Sequence, residues 1–332
     1  MKKFLLLCCS CLWSLLTFAQ QELEWKVSTF GFADNREYAS ANLYSQSILG
    51  IRFAPEIGLR IDSTHRIRAG INFLQEFGAK PFGERLLPIL YYNYQKQGLS
   101  FYIGTFPRYE LLSDYPRAIL TDTLMYYRPN IEGLSLKYQH KQFKEQIWVD
   151  WTSRETQTDR EQFMVGLSGR VGFGLFYFTH YLTMLHTANS LGQKYPLRDN
   201  FGGMLQVGVD LSERTALDSL TIGTGILASI DRLRGVYDRS PKGAIVDIHA
   251  AKKSFFLHNT FYKGDAHDIA FGDRFYTKDT YDRLDLGWKP FRWNNLEAYF
   301  MFSLHFVPGA MSNQQVIQLR YSLGDSYALK KK

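Results

Sequence analysis

The chain has 332 residues, 45% hydrophobic and 16% aromatic, and its 39 Lys and Arg against 32 Asp and Glu give a net charge of +7. So small an excess gives no support to nucleic-acid binding, and beyond residue 20 no stretch runs apolar for the ~20 residues a membrane-spanning helix needs. All three cysteines, Cys8, Cys9 and Cys11, lie before residue 20, so the rest of the chain offers no disulfide framework, zinc-thiolate site or thiol nucleophile.

The chain opens on a short basic start, Lys2 and Lys3, then an uncharged apolar run from Phe4 to Phe18 and a small residue, Ala19. This is the pattern of an export signal cleaved near residue 20. The expected mature chain is a single domain over residues 21–332, with a charge of +5 once Lys2 and Lys3 are gone.

From there the chain is a succession of alternating segments of about ten residues each. The second of them reads ILGIRFAPEIGLRID: Leu49, Ile51, Phe53, Ile57, Leu59 and Ile61 share one face of an extended strand, and Arg52, Glu56 and Arg60 the other. Pro55 interrupts it and predicts a bulge or a break in pairing. The pattern returns in HRIRAGINF, LSFYIGTF, IEGLSLKYQ, IWVDWTSR, FMVGLSG, NFGGMLQVGVDL, LEAYFMFSLHF and the stretch from Ile317 to Leu323. With the weaker runs the count is about sixteen, fourteen to eighteen lying within the error of segment boundaries.

Connections alternate between short (DSTH, QKQG, AKKS) and long (DNREYASANLYS, YELLSDYPRAILTDTLMYYRPN, GDAHDIAFGDRFYTKDT). An even number of strands with short turns at one end and long loops at the other predicts an all-β fold: a transmembrane antiparallel up-and-down β-barrel. Its apolar faces meet outer-membrane lipid and its charged faces a wet interior, because a closed barrel pairs every backbone group without an edge.

On these features the chain resembles a bacterial outer-membrane porin-type barrel, and TFAQQ resembles export signals common in the Bacteroidota. The resemblance implies an inward-folded constriction loop between the fifth and sixth strands, here Tyr109 to Asn130, with Tyr109, Asp114, Tyr115, Arg117 and Asp122 reaching the lumen. The chain departs from porins in ending on LGDSYALKKK rather than on an aromatic residue. The acidic Pro-Glu-Phe-Gly-type motif of porin constriction loops is missing too.

Strand parity assigns to the pore wall Arg52, Glu56, Arg60, Arg66, Arg68, Lys137, Asp150, Arg154, Asp285, Glu297 and Arg320. Arg52, Arg60, Arg66 and Arg68 gather toward one turn, either as an anion-attracting mouth or as solvated strand ends. Catalytic motifs of the Gly-x-Ser-x-Gly or His-Glu-x-x-His kind do not occur. A barrel-embedded hydrolase could draw on His180 near Thr179 and Thr183, or on His258 near Thr260. The acidic loop with Asp265, His267, Asp268 and Asp273 reads as hydrophilic surface rather than as a metal site.

The expectation is therefore a porin-like channel, not an enzyme, passing small hydrophilic solutes by diffusion, without cofactor or metal and compatible with a homo-oligomer. A barrel scaffolding a secretion or surface complex is the first alternative. An outer-membrane lipid-modifying enzyme is the second.

Overall fold

The computed structural model describes residues 21–39, 43–83, 85–293 and 295–329; the export signal expected over residues 1–20 lies outside them. The described residues form one sheet of eighteen strands. In chain order these are β1 (Gln21–Glu37), β2 (Gln46–Ile61), β3 (His65–Glu76), β4 (Arg85–Lys96), β5 (Leu99–Pro107), β6 (Asn130–His140), β7 (Phe143–Ser153), β8 (Gln162–Phe173) and β9 (Phe176–Thr187). There follow β10 (Arg198–Asp210), β11 (Ser219–Leu233), β12 (Tyr237–Arg239), β13 (Lys242–Lys252), β14 (Phe255–Gly264), β15 (Thr280–Trp288), β16 (Arg292–Trp293), β17 (Leu296–Val307) and β18 (Ala310–Ala328).

Each wall strand pairs antiparallel with its neighbours, and β1 pairs with both β2 and β18, which closes the sheet. The short β12 and β16 only extend hairpins beside β11 and β17, leaving a wall of sixteen. Closure removes the unpaired edge that hydrocarbon would not tolerate.

Burial answers the question of which face is wet. Ile57 is 57% exposed on the outside and its neighbour Glu56 only 5%, turned inward. Leu49, Ile51 and Phe53 are likewise exposed on the outer surface, as lipid-facing residues of a membrane barrel are. Pro55 breaks the β2–β3 ladder: pairing runs to Phe53 with Phe73 and resumes at Glu56 with Gly70.

The connections 62–64, 97–98, 141–142, 174–175 and 253–254 are tight and share one end with both chain termini. The long connections lie at the opposite end, the extracellular one by the usual asymmetry of these barrels. Two of them turn inward. The segment between β5 and β6 carries helix α1 (Tyr109–Leu112) and helix α2 (Asp122–Tyr127), and the segment between β14 and β15 a 3-10 turn (Arg274–Thr277). Leu112, Ile119, Tyr126 and Phe275 are almost completely buried and pack against inward wall residues from Ile89 on β4 round to Tyr281 on β15. The middle of the lumen is thus a packed core.

A close approach makes room for it. The Trp148 indole lies over Gly166 on the next strand, where an added Cβ would stand 2.1 Å from the ring. From that position Trp148 Nε1 donates to the Tyr115 hydroxyl at 2.9 Å.

Candidate active site

The arginines gathered near the β2–β3 turn are mostly neutralised within the wall. Arg60 pairs with Glu22 and Glu24, Arg66 with Glu24 at 2.8 Å, and Arg68 with Glu24 at 3.0 Å and Glu56 at 3.7 Å. Arg52 is buried and faces inward, with its guanidinium 4.8 Å from the Phe30 ring, and Arg320 lies 3.8 Å from the same ring and 3.5 Å from that of Tyr109. Lys137 and Glu297 also face inward. Arg154 does not: β7 ends at Ser153 after a register shift at Trp151, so the strand parity that placed Arg154 on the pore wall no longer applies and the residue is exposed in the outer loop.

Asp150 is fully buried against Arg108, which also donates to the carbonyls of Arg128 and Asn130 and so ties the two ends of the inserted segment to β7. Within that segment Asp114 pairs with Lys144, and Arg117 pairs with Asp122 at 2.8 Å and with Asp285 on β15 at 3.1 Å. Burial works against the Asp122 charge, but the Arg117 guanidinium outweighs it and holds the carboxyl below its usual range. Burial pushes the Tyr115 phenol up.

The acidic loop differs from the sequence expectation. Asp265 and Asp268 stay exposed, but His267, Ile269, Phe275 and Tyr276 turn inward, and no cluster suited to a metal occurs among the described residues. His267 is buried with Nδ1 2.7 Å from the Ser229 hydroxyl, and burial lowers its pKa to about 4. The reason for the inward fold is apolar: Ile269, Phe275 and Tyr276 of the same loop join the luminal core.

The two histidines singled out from sequence stand apart from a shared site. His258 faces the lumen toward the short-turn end, 2.8 Å from Asp247, to which Thr260 also donates. His180 faces lipid and bonds Glu145 across Gly169, while Thr179 and Thr183 on the same strand are buried on the inner side.

A third histidine, His186, lies on the outer face of the barrel. It faces outward near the long-loop end of β9, and its Nδ1 is 2.6 Å from Asp199 Oδ1 at the start of β10. Arg234 donates to the other Asp199 oxygen at 2.9 Å. The register sets Trp151, Phe163, His186, Asp199 and Arg232 directly opposite one another on five successive strands. Trp151 and Phe163 stack at 5.0 Å, and Phe163 lies 5.2 Å from the imidazole.

Such aromatics mark the membrane interface, so the row carries a histidine at that level with apolar rings on one side and cations on the other. With Nδ1–H held by a carboxylate, Nε2 is left as the proton acceptor; among the described residues it bonds nothing. Sequence reading overlooked this pair because its members flank a long loop. The signal was nevertheless present, since His186 and Asp199 share their strand parity with the apolar Met184, Leu182, Phe201 and Leu205, with His180 the other polar exception on β9.

The closed sixteen-stranded sheet and its lipid-facing apolar belt define an outer-membrane β-barrel protein. Its fold is similar to that of a Rhodopseudomonas blastica porin, at 10% identity over 91% of this chain and 100% of that one, TM-score 0.51. It is also similar to OpdQ of Pseudomonas aeruginosa (9% identity, 92% and 98% of the two chains, TM-score 0.52) and to a loop-deleted OmpT of Vibrio cholerae (11%, 92% and 100%, TM-score 0.58). At such identities the likeness is one of fold alone.

No protein of curated function matches the chain in sequence. The model of the lipid A 3'-O-deacylase-type family matches residues 16–323, and the chain belongs to that family. Membership overturns the expectation of a porin-like, non-enzymatic channel for hydrophilic solutes, since the family is named for a hydrolase of membrane lipid. The wall pattern could not tell the two apart, because any outer-membrane barrel needs apolar residues outside and polar ones inside whatever its chemistry.

Proposed function

We propose that the protein is an outer-membrane esterase that removes an acyl chain from lipid A in the outer leaflet, the 3'-O-linked chain by the description of its family. The observation that carries this reading is the His186–Asp199 pair, facing lipid at the long-loop end with Nε2 unoccupied. An ester of lipid A lies at the boundary between headgroup and acyl chains, the depth at which Trp151 and Phe163 flank the histidine.

His186 Nε2 takes a proton from a water molecule as the water oxygen attacks the ester carbonyl, and Asp199 steadies the imidazolium that forms. The tetrahedral intermediate collapses by breaking the bond to the sugar oxygen, which receives the proton back from Nε2. A free fatty acid and a sugar hydroxyl result. Water is the nucleophile because no hydroxyl bonds His186 among the described residues. Arg232 and Arg234, next to the pair, are placed to meet an anionic phosphate of the headgroup.

The test is mass spectrometry of lipid A incubated with the purified full chain in mixed micelles. The wild type should release one acyl chain and His186→Gln none. Undiminished release by His186→Gln would remove the site from consideration.

A further inference from the structure

At the short-turn end, below the packed core, the lumen keeps a cavity of about 340 Å³ lined by Phe30, Arg52, Ile89, Tyr109, Leu296 and Arg320, among others. Pockets of this order hold small organic molecules. The cavity is far from His186, which faces lipid near the opposite rim.

The charges around this cavity do not cancel. Lys26 pairs with Glu110, and Arg60, Arg66 and Arg68 share Glu22, Glu24 and Glu56. Glu297 lies opposite Arg320 in the strand register but forms no ion pair with it. The lining carries Lys26, Arg52 and Arg320 with Glu56, Glu110 and Glu297; since Lys26 engages Glu110 and Arg68 from outside the lining engages Glu56, Arg52 and Arg320 are left facing Glu297, one cation in excess. Neither Arg52 nor Arg320 has a carboxylate within 4 Å among the described residues, in contrast to the three arginines beside them.

Arg52 is the more exceptional of the two. It is 7% exposed, its Nε is buried without a partner, and its guanidinium bonds no protein group among the described residues. Its guanidinium lies 4.8 Å from the centre of the Phe30 ring, which Arg320 also approaches. A buried guanidinium is costly unless an anion meets its fork of donors, and this one opens onto a cavity whose wall joins an apolar side, with Phe30, Ile89 and Leu296, to a polar one that includes Glu56, Glu110 and Glu297.

We propose that this cavity is a binding site for a small organic monoanion, a carboxylate with an apolar body, reached from the periplasm. The carboxylate bridges Arg52 and Arg320, and the apolar body lies against Phe30, Ile89 and Leu296. One negative charge matches the single uncompensated cation, and the apolar lining favours an organic acid over an inorganic ion. The site is independent of the proposed esterase chemistry.

The test uses the full chain in detergent, titrated calorimetrically with hexanoate, hexylammonium and inorganic phosphate. Saturable hexanoate binding is expected, with none of hexylammonium and little of phosphate. Arg52→Gln and Arg320→Gln should each weaken it at least about tenfold, the loss of a charge-assisted contact. Folding of each variant is checked by the heat-dependent gel mobility of barrels. Should a Gln variant fail to fold, Arg52→Lys, which keeps the charge and loses the planar fork, should bind several-fold more weakly. Absence of saturable binding, or binding that survives the substitutions, overturns the site, and phosphate binding as tight as hexanoate overturns the assignment to an organic acid.

Discussion

His186 Nδ1 and Asp199 Oδ1 lie 2.6 Å apart on the outer surface of the barrel, across neighbouring strands that a long loop joins. If the carboxylate sets the tautomer, Asp199→Asn should impair catalysis without touching substrate. A general base contributes roughly 10²–10⁴-fold to rate, and loss of the orienting carboxylate falls in that range because the amide favours the wrong tautomer. Steady-state deacylation should show kcat falling about 10²-fold or more for Asp199→Asn with KM nearly unchanged. An equal rise in KM would instead make Asp199 part of the binding surface.

Arg232 stands opposite Asp199 on the next strand and pairs with Asp238 at the exposed rim. A cation near an anionic lipid surface contributes on the order of 1 kcal/mol. Arg232→Ala should therefore raise KM about fivefold and leave kcat near the wild-type value. The difference from wild type should shrink as salt is added, which a KM series in sodium chloride would show. A salt-independent change would point to packing.

The architecture was legible in the sequence because lipid outside and polar groups inside impose one alternation on every strand. Ile57 and Glu56 obey it as clearly in the structure as in the bare sequence. What the alternation does not contain is the partner of each inward charge. Arg66 and Arg68 read either as an anion-attracting mouth or as solvated strand ends, and in the structure Glu24 of β1 lies against both. Nor does it reveal where loop residues go: Asp265, His267, Asp268 and Asp273 look hydrophilic, yet Ile269 and Phe275 between and beyond them draw the loop into the lumen. The His186–Asp199 pair was half legible. Both residues are polar at a lipid-facing parity that His180 shares, and only the register shows that these two meet.

Arg108 and Asp150 form an ion pair with no exposure on either side chain. Asp150 Oδ1 also accepts from the Glu132 backbone, and Arg108 holds two carbonyls at the end of the inserted segment. Asp150→Ala would strand a buried guanidinium, which costs roughly 3–5 kcal/mol. Urea unfolding in lipid vesicles should show that loss. Asp150→Asn, which keeps an acceptor for Arg108, should lose less. Equal stability of all three proteins would mean that the pair is offset by its own desolvation.

His267 links the second inserted loop to the wall through Nδ1 and the Ser229 hydroxyl of β11 at 2.7 Å, while its backbone N–H donates to the Tyr276 carbonyl within the loop. Burial lowers its pKa to about 4, with Asp265 opposing the shift only in part; an undocked histidine titrates near 6.5. The docked loop therefore holds a neutral imidazole where the undocked loop takes up a proton. Docking should be fully stable above pH 6.5 and weaken steadily as the pH falls from there toward 4. Hydrogen exchange of residues 265–279 is the measurement: protection should decline across that window in the wild type and stay nearly flat in His267→Phe, which has no proton to gain. Protection that declines equally in the variant would assign the pH dependence to a group other than His267, and not to Asp273, whose carboxyl burial raises above the usual range so that its protonation favours the docked loop; protection that is flat in the wild type would overturn the prediction.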